Sequence, residues 1–201
     1  MAKMFIPVIL GTAREGRQSE KVAALVFKEA GRVFDTELVD VRDFRISATD
    51  NTQKSALAKK LSEKAERADG FIIVSPEYNF SYPGELKMML DMLYQQYEKK
   101  PVGFCVVSAG NFGGVHALEQ LKLLALAFKM VPVPSAVHFP NVHELFDAKG
   151  KVKDESYARR INDFLAEMAW YANALKAGRE KNFAEVDKDG KICFAGSSLW
   201  V

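Results

Sequence analysis

Five short apolar segments alternate along this chain with five segments of helical periodicity. The apolar segments lie near residues 4–10, 36–41, 70–75, 102–108 and 132–137, and the helical patterns lie near 18–31, 53–68, 83–97, 113–130 and 155–177. A short, uncharged, β-branched run such as residues 71–74 is typical of a strand that is buried on both faces. Strands and helices that alternate form a parallel sheet with right-handed crossovers. The sequence therefore predicts a doubly wound α/β fold with a five-stranded parallel sheet and helices on both faces.

The length of 201 residues fits one well-cored domain, and no linker rich in Pro, Gly or Ser divides the chain. Near the end, residues 186–192 have the pattern of a turn between two short extended pieces. We therefore expect one domain over residues 1–177 and an appended arm over residues 178–201.

Composition argues against several classes of partner and location. The net charge is only +2 and the basic residues are scattered, so the sequence indicates neither a nucleic-acid groove nor a membrane surface. Cys105 lies in an apolar run far from Cys193, which makes a structural disulfide unexpected. The apolar N-terminal run is too short to span a membrane and lacks a cleavage site. A reducing cytoplasm is the expected location.

The loop after the first predicted strand has the composition of a phosphate site. Residues 11–19 combine two glycines, hydroxyls and fixed positive charge before a helix whose first amides attract anions. The candidate ligands are Gly11, Thr12, Arg14, Arg17, Gln18 and Ser19. A P-loop is excluded because Arg17 and Gln18 replace its Lys and Ser/Thr, and a dinucleotide fingerprint fails at Ala13. An ordinary strand-to-helix loop with surface arginines remains an alternative.

Two further loops are expected at the same edge of the sheet. Pro76 should end the third strand, which frees the main chain of Glu77, Tyr78 and Asn79 to bind a flat, polar group. After the fourth strand, a glycine-rich loop is predicted to approach a ligand closely or to adopt positive φ. Its candidate residues are Ser108, Gly110, Asn111, Phe112, Gly113 and Gly114. A plain glycine-rich turn is the alternative.

These loops resemble those of the NADPH-dependent FMN reductase family. Residues 76–87 match its signature Pro-Glu-Tyr-Asn-x-Ser-x-Pro-Gly-x-Leu-Lys, and Asp91 follows as in that family. Residues 108–114 match its Ser-Ala-Gly-x-x-Gly-Gly pattern. The first loop departs from the family pattern Gly-Ser-x-Arg-x-x-Ser-x-Asn, with Thr12 at the first Ser, Arg17 at the second and Ser19 at the Asn.

The resemblance implies a flavodoxin-like fold and an enzyme in which FMN carries the chemistry, so no catalytic side chain is expected. The first loop would hold the phosphate, and the other two would hold the isoalloxazine ring. Electrons would pass from NADPH or NADH to a small acceptor such as a quinone, a flavin, an azo compound or a metal oxyanion. Family members also form dimers or tetramers through the helix after residue 83, which here is apolar on many sides. We therefore expect a homodimer or homotetramer.

Two alternative functions remain open from sequence. A flavodoxin-type electron carrier would bind FMN without catalysis, although such carriers usually have an uncharged phosphate loop and an acidic surface. A nucleotide-binding protein without redox activity is the other alternative. His116, His138 and His143 do not have the spacing of a metal site, and no Gly-x-Ser-x-Gly motif indicates a hydrolase.

Overall fold

The computed structural model describes residues 3–49, 52–181, 184–186 and 191–194, which contain a five-stranded parallel sheet between two layers of helices. The elements in chain order are β1 (Val8–Leu10), α1 (Ser19–Val33), β2 (Leu38–Asp40), α2 (Ala56–Arg67), β3 (Phe71–Pro76), α3 (Gly84–Leu90), β4 (Pro101–Val107), α4 (Val115–Ala127), β5 (Val131–Phe139), α5 (Val142–Leu145), α6 (Ser156–Glu180), β6 (Ala184–Val186) and β7 (Ile192–Phe194). The sheet order is β2-β1-β3-β4-β5, which confirms the predicted flavodoxin-like α/β fold.

Apolar side chains on the two faces of the sheet form two separate cores. On one face, Ile73 and Phe104 pack with α2, α3 and α4. On the other face, Ile72 and Cys105 pack with α1 and α6. Neighbouring residues of β3 and β4 thus enter opposite cores, as the alternation of side chains along a strand requires. This arrangement explains why both strands are apolar over almost their whole length, with Ser75 near the end of β3 as the exception.

The functional edge of the sheet follows from the strand order. The chain leaves β1 toward β2 on one side and reaches β3 on the other, so the crossover direction reverses between β1 and β3. Ligands in open α/β sheets bind at such a reversal, beyond the carboxyl ends of the strands. The loops that follow β1, β3, β4 and β5 all emerge at this edge.

A polar network holds the opposite, amino-terminal edge. The Asp69 carboxylate accepts hydrogen bonds from the Phe5 amide, at 3.1 Å, and from Lys176 Nζ, at 3.2 Å. Buried Lys100 donates to the carbonyl of Ala65 at 2.5 Å, in the last turn of α2. Arg179 donates to the Lys99 carbonyl at 2.8 Å. These bonds attach the end of α6 to the sheet.

The third helix is shorter than predicted. The apolar pattern indicated a helix over residues 83–97, but α3 ends at Leu90 and a short 3₁₀ turn follows at Gln95–Tyr97. Met92 and Leu93 donate to carbonyls three residues earlier, and Tyr94 has φ −146° and ψ −67°, outside the helical region. This tighter path buries Tyr97 at the end of the segment, with its ring edge-on to Phe71. Tertiary packing therefore overrides the helical periodicity after Leu90.

Most other predicted boundaries are close to those observed, and the differences have local causes. The first strand is shorter than residues 4–10, because only a single bridge between Phe5 and Asp35 precedes β1. Helix α4 ends at Ala127, before the predicted limit at residue 130, in a Schellman motif. There Lys129 adopts φ 55°, and the Met130 amide donates to the Ala125 carbonyl at 2.9 Å.

After α6, β6 and β7 pair as an antiparallel hairpin. The two predicted extended pieces are therefore strands, whereas the predicted turn at residues 187–190 lies outside the described residues. Helix α6 itself continues to Glu180, so the division of the chain at residue 177 remains a prediction. Within the described ranges, no helix is both long and apolar enough to cross a membrane.

Candidate functional site

The loop after β1 is fixed from within by Arg17. Its guanidinium donates to the Thr12 carbonyl at 2.5 Å and pairs with both carboxylate oxygens of Asp40 at the end of β2. The Arg17 side chain is only 3% exposed, and the hydrogen bond to Asp40 raises the pKa of the guanidinium. Its charge is thus neutralised inside the protein. Arg17 therefore sets the path of the loop, and although it also lines the cleft, its contact with a phosphate stays a prediction.

Two other side chains hold the same loop from outside. Arg42 donates to the carbonyls of Ala13, at 3.2 Å, and Arg14, at 2.7 Å. Glu85, in the first turn of α3, accepts from the Ala13 amide at 2.8 Å and from Thr12 Oγ1 at 3.1 Å. Sequence reasoning missed Arg42, Glu85 and Asp40 as residues that shape the site. Only Glu85 lay within the matched signature, at one of its variable positions.

Thr12 connects the first loop to the second. Its side chain is fully buried, and Oγ1 lies 2.9 Å from the Tyr78 hydroxyl. Gly11 packs under α3, with Leu86 closest to where a Cβ would stand. Gly11 and Thr12 are therefore brought to the predicted edge but serve the packing of the loops.

A cleft opens between the first loop and the loops after β3, β4 and β5. Its lining includes Arg14, Gly16, Gln18, Ser19, Pro76, Glu77, Tyr78, Ser108, Val142 and His143. Apart from Arg17, six predicted site residues from the first two loops line this cleft. Ser108 from the third loop joins them. His143, which follows β5, was considered only as a metal ligand in the sequence and not as part of this cleft.

The end of the cleft near α1 has the chemistry of an anion site. Ser19 begins α1, where the first backbone amides lack helical partners. Its side-chain hydroxyl is buried, and the described residues offer it no hydrogen-bond partner. Arg14 is exposed beside it, with its guanidinium 5.7 Å from the Tyr78 ring centre, and no carboxylate among the described residues pairs with it. These groups fit the phosphate of a nucleotide.

The loop after β3 ends in a tight turn at residues 78–81. Tyr78 and Ser81 exchange two backbone hydrogen bonds, of 2.7 and 3.0 Å. Asn79 and Phe80 between them have φ of 49° and 63°, the positive pair that defines a type I′ turn. Positive φ is unusual for a residue as large as Phe, and such outliers concentrate at functional sites. The turn leaves Phe80 68% exposed beside the cleft.

Glu77 joins this loop to α4. Its Oε2 accepts from the amides of His116, at 3.0 Å, and Ala117, at 3.1 Å, in the first turn of the helix. An acidic side chain is favourable at this end of a helix dipole. The Glu77 amide donates to the Val107 carbonyl at 2.8 Å. The side chain of Glu77 is therefore a structural cap, which the sequence prediction did not anticipate.

The glycine-rich loop after β4 has the predicted positive φ. The reason is packing against the neighbouring strands and not close approach to a ligand. Gly113 and Gly114 have φ of 61° and 81°. A Cβ on Gly113 would stand 2.9 Å from the His138 Cβ, and one on Gly114 would stand 3.0 Å from the Val106 Cβ. Both glycines therefore fit against β4 and β5. Gly110, Asn111 and Phe112 are the exposed part of this loop, with Phe112 79% exposed.

The histidine and cysteine side chains were also considered as possible metal ligands or reactive groups. Among the described residues, no three His, Cys, Asp or Glu side chains are grouped as a metal site would need. His138 Nδ1 lies 3.1 Å from the Gly113 carbonyl. Cys105 is a buried free thiol in β4, and burial raises its pKa.

Comparison with known proteins identifies the family to which this site belongs. The model of the NADPH-dependent FMN reductase family matches residues 4–144, which include all of the predicted cofactor loops. The chain belongs to the NADPH-dependent FMN reductase family. It is 36% identical to an NAD(P)H-dependent FMN reductase of Schizosaccharomyces pombe, over 65% of this chain and 70% of that protein. It is 30% identical to an FMN-dependent NADPH-azoreductase of Staphylococcus saprophyticus, over 79% of this chain and 89% of that protein.

Solved structures support the same fold. The flavoenzyme NAD(P)H:acceptor oxidoreductase FerB from Paracoccus denitrificans superposes with a TM-score of 0.68 at 23% identity, over 87% of this chain and 98% of that one. A flavodoxin of Streptococcus pneumoniae has a TM-score of 0.55 at 12% identity, over 83% of this chain and 98% of that one. Both similarities concern the fold alone. The family and its named relatives make the protein an FMN-dependent NAD(P)H reductase, and the electron-carrier alternative is not favoured.

Proposed function

We propose that the cleft binds FMN with its phosphate at the start of α1. Arg14, Gly16, Gln18 and Ser19 would hold the phosphate. The main chain of residues 76–79 and the exposed residues 110–112 would hold the ring. The observation that carries this assignment is the buried Ser19 hydroxyl, which has no hydrogen-bond partner among the described residues. Ser19 lines the same cleft as Arg14, whose guanidinium pairs with no described carboxylate.

Bound FMN would accept a hydride from NADPH or NADH and pass the electrons on, which is chemistry that belongs to the cofactor. The residues of this chain bind and orient the reactants around it. The loops after β3 and β4 that border the cleft, here called its rim, carry three aromatic side chains. Tyr78 lines the cleft itself, and Phe80 and Phe112 are largely exposed. Such a rim suits a flat, conjugated acceptor of the quinone or azo class. Relatives that are named quinone reductase and azoreductase agree with this choice.

The phosphate assignment can be tested by comparing FMN with riboflavin, which lacks the phosphate. Loss of a charge-assisted contact is worth about 1.5–3 kcal/mol, so Arg14→Ala should weaken FMN binding to the apoprotein by roughly 10- to 150-fold. Ser19→Ala should weaken FMN binding less, because it removes a neutral donor. Riboflavin affinity should change little in either variant. Flavin fluorescence quenching measures both affinities.

Arg159→Ala serves as the matched control, because Arg159 is an exposed arginine on α6. An equal loss of FMN and riboflavin affinity in Arg14→Ala would contradict phosphate binding by this residue. The reductase activity is tested separately, by adding NADPH or NADH to the FMN-loaded protein without oxygen. Bleaching of the flavin absorption band is the expected result.

We also propose that the protein is a homo-oligomer, on grounds that differ from the sequence argument. Leu86, Leu90 and Leu93 are each at most 2% exposed within one chain, so they offer no surface to a second copy. Leu123 and Leu126 on the outer side of α4 are instead 61% and 60% exposed. A helix that is apolar on both sides favours a second packing partner. Action in the cytoplasm is a further proposal, supported by the need for a reduced nicotinamide.

A further inference from the structure

A histidine in the first turn of α4 contacts two residues of the loop after β3, one of which, Glu77, lines the cleft. His116 Nδ1 lies 3.3 Å from Glu77 Oε1, and the His116 side chain is 48% exposed. The Phe80 ring packs edge-on against the imidazole, with the ring centres 4.5 Å apart and 71° between the planes. The imidazole therefore has a fixed position between the second loop and the start of α4.

The partners of His116 determine which ring nitrogen can act on a ligand. A carboxylate only accepts hydrogen bonds, so Nδ1 carries the proton in the contact with Glu77. Glu77 is itself held by the two backbone amides of α4 and is 16% exposed. Nε2 is then the ring atom that Glu77 does not engage, and in the imidazolium form it carries the second proton.

We propose that His116 donates the proton that completes the reduction of a quinone at this rim. This inference rests on the proposed function, in which the acceptor is a quinone. Reduction of a quinone to a hydroquinone requires two electrons and two protons. The reductase activity supplies a hydride, which carries both electrons and one proton. The second proton moves from Nε2 to the quinone oxygen, so an N–H bond breaks and an O–H bond forms, and solvent restores the proton on the exposed ring.

The surroundings of His116 suit this role in two ways. Glu77 holds the imidazole through Nδ1, which leaves Nε2 for a ligand. Phe80 is placed by the type I′ turn and presents an exposed aromatic surface next to the imidazole, against which a planar acceptor can stack. The strained conformation of Phe80 thus has an explanation in the position that it gives the ring.

The test compares an acceptor that needs protons with one that does not. Benzoquinone takes up protons on reduction, whereas ferricyanide accepts single electrons without a proton. His116→Gln keeps an amide that can donate to Glu77, but it cannot transfer a proton. We expect kcat with benzoquinone to fall by about 10²-fold and kcat with ferricyanide to stay within about twofold of wild type. Glu119→Gln, on the exposed side of α4, is the matched control.

A binding measurement adds a readout that does not depend on turnover. Hydroquinone titrated into the oxidised FMN-loaded protein and followed by the flavin absorption band should bind several-fold more weakly to His116→Gln than to wild type. The inference is overturned if benzoquinone and ferricyanide turnover fall by the same factor, because His116 would then be structural. Unchanged benzoquinone turnover would overturn it as well. Failure of NADPH to reduce the flavin of the wild-type protein would instead contradict the proposed function.

Discussion

Arg14 and Arg17 lie three residues apart in the same loop, yet they have different surroundings. Arg17 is buried against Asp40, which is distant in sequence and ends β2. Arg14 is exposed at the cleft and contacts the Tyr78 ring. The sequence shows that both are cationic but not which one meets a carboxylate, because that depends on strand pairing between β1 and β2. Arg14 is therefore the arginine of this loop that can offer its charge to a phosphate.

Lys100 is another residue whose properties depend on its surroundings. Burial, aided by the charge of Arg179, lowers the pKa of Lys100 from 10.5 to about 8, although Asp69 and Glu66 act in the opposite direction. The unfolded chain therefore binds this proton more tightly than the folded protein does. The free energy of unfolding should rise with pH wherever the unfolded state holds more protons.

We predict that the stability of the wild type relative to Lys100→Met increases as the pH rises from about 8 to about 10. Below that range, Lys100 is protonated in the folded wild type, and the buried charge lowers its free energy of unfolding. The neutral amine at higher pH can still donate to the end of α2. Urea denaturation at a series of pH values, with Lys176 and Arg179 unchanged in both proteins, measures the difference. A difference that is independent of pH would contradict the prediction.

At the scale of elements, periodicity and turn residues were sufficient for the fold but not for every boundary. The alternation of apolar runs and helices predicted all five parallel strands. It failed after Leu90, where Tyr97 is buried by contacts with Phe71 in β3 and with Phe128, which follows α4, and no local pattern contains these contacts. The three predicted loops lie at one edge of the sheet, and their contacts with a cofactor stay a prediction. The side chains that hold these loops in place could not be identified from the sequence. Glu85 accepts a hydrogen bond from the first loop and Glu77 accepts one from α4, and each contact joins segments that are distant in sequence.

The glycine-rich loop after β4 allows a test with a matched pair of variants. Gly113→Val should lower the free energy of unfolding by at least about 2 kcal/mol, because it combines positive φ with a clash against His138. Gly110→Val should leave stability nearly unchanged, since a Cβ there meets no atom within 4 Å. Its effect should appear only in flavin affinity. Thermal unfolding of both apoproteins and flavin titration separate the two outcomes, and equal stability losses would refute the distinction.

At the scale of the whole molecule, the two edges of the sheet have different tasks. The amino-terminal edge is closed by the network around Asp69, which joins β3, α6 and the start of the chain. The carboxyl-terminal edge carries the cleft and its exposed aromatic rim. The cofactor site can therefore remain open while the polar network at the other end attaches α6 to the sheet.

The outer side of α4 provides the test of oligomeric state. We predict a mass greater than one chain at micromolar concentration, and a monomer for the double variant Leu123→Glu, Leu126→Glu. Carboxylates at these two positions would be buried without partners in the proposed interface. Trp170→Glu, which alters an exposed aromatic residue on α6, should leave the mass unchanged. Light scattering after gel filtration gives the masses, and a monomeric wild type would contradict the interface.

The type I′ turn at residues 79 and 80 has a consequence for laboratory evolution of this protein. Glycine adopts positive φ without the steric cost that a larger residue bears, which is of the order of 1 kcal/mol. A screen for heat resistance would therefore favour glycine at position 80 and discard the phenyl ring beside His116. Variants enriched in that way would have higher thermal stability and lower turnover with aromatic acceptors. Selection for thermal stability and selection for turnover should therefore favour different residues at position 80.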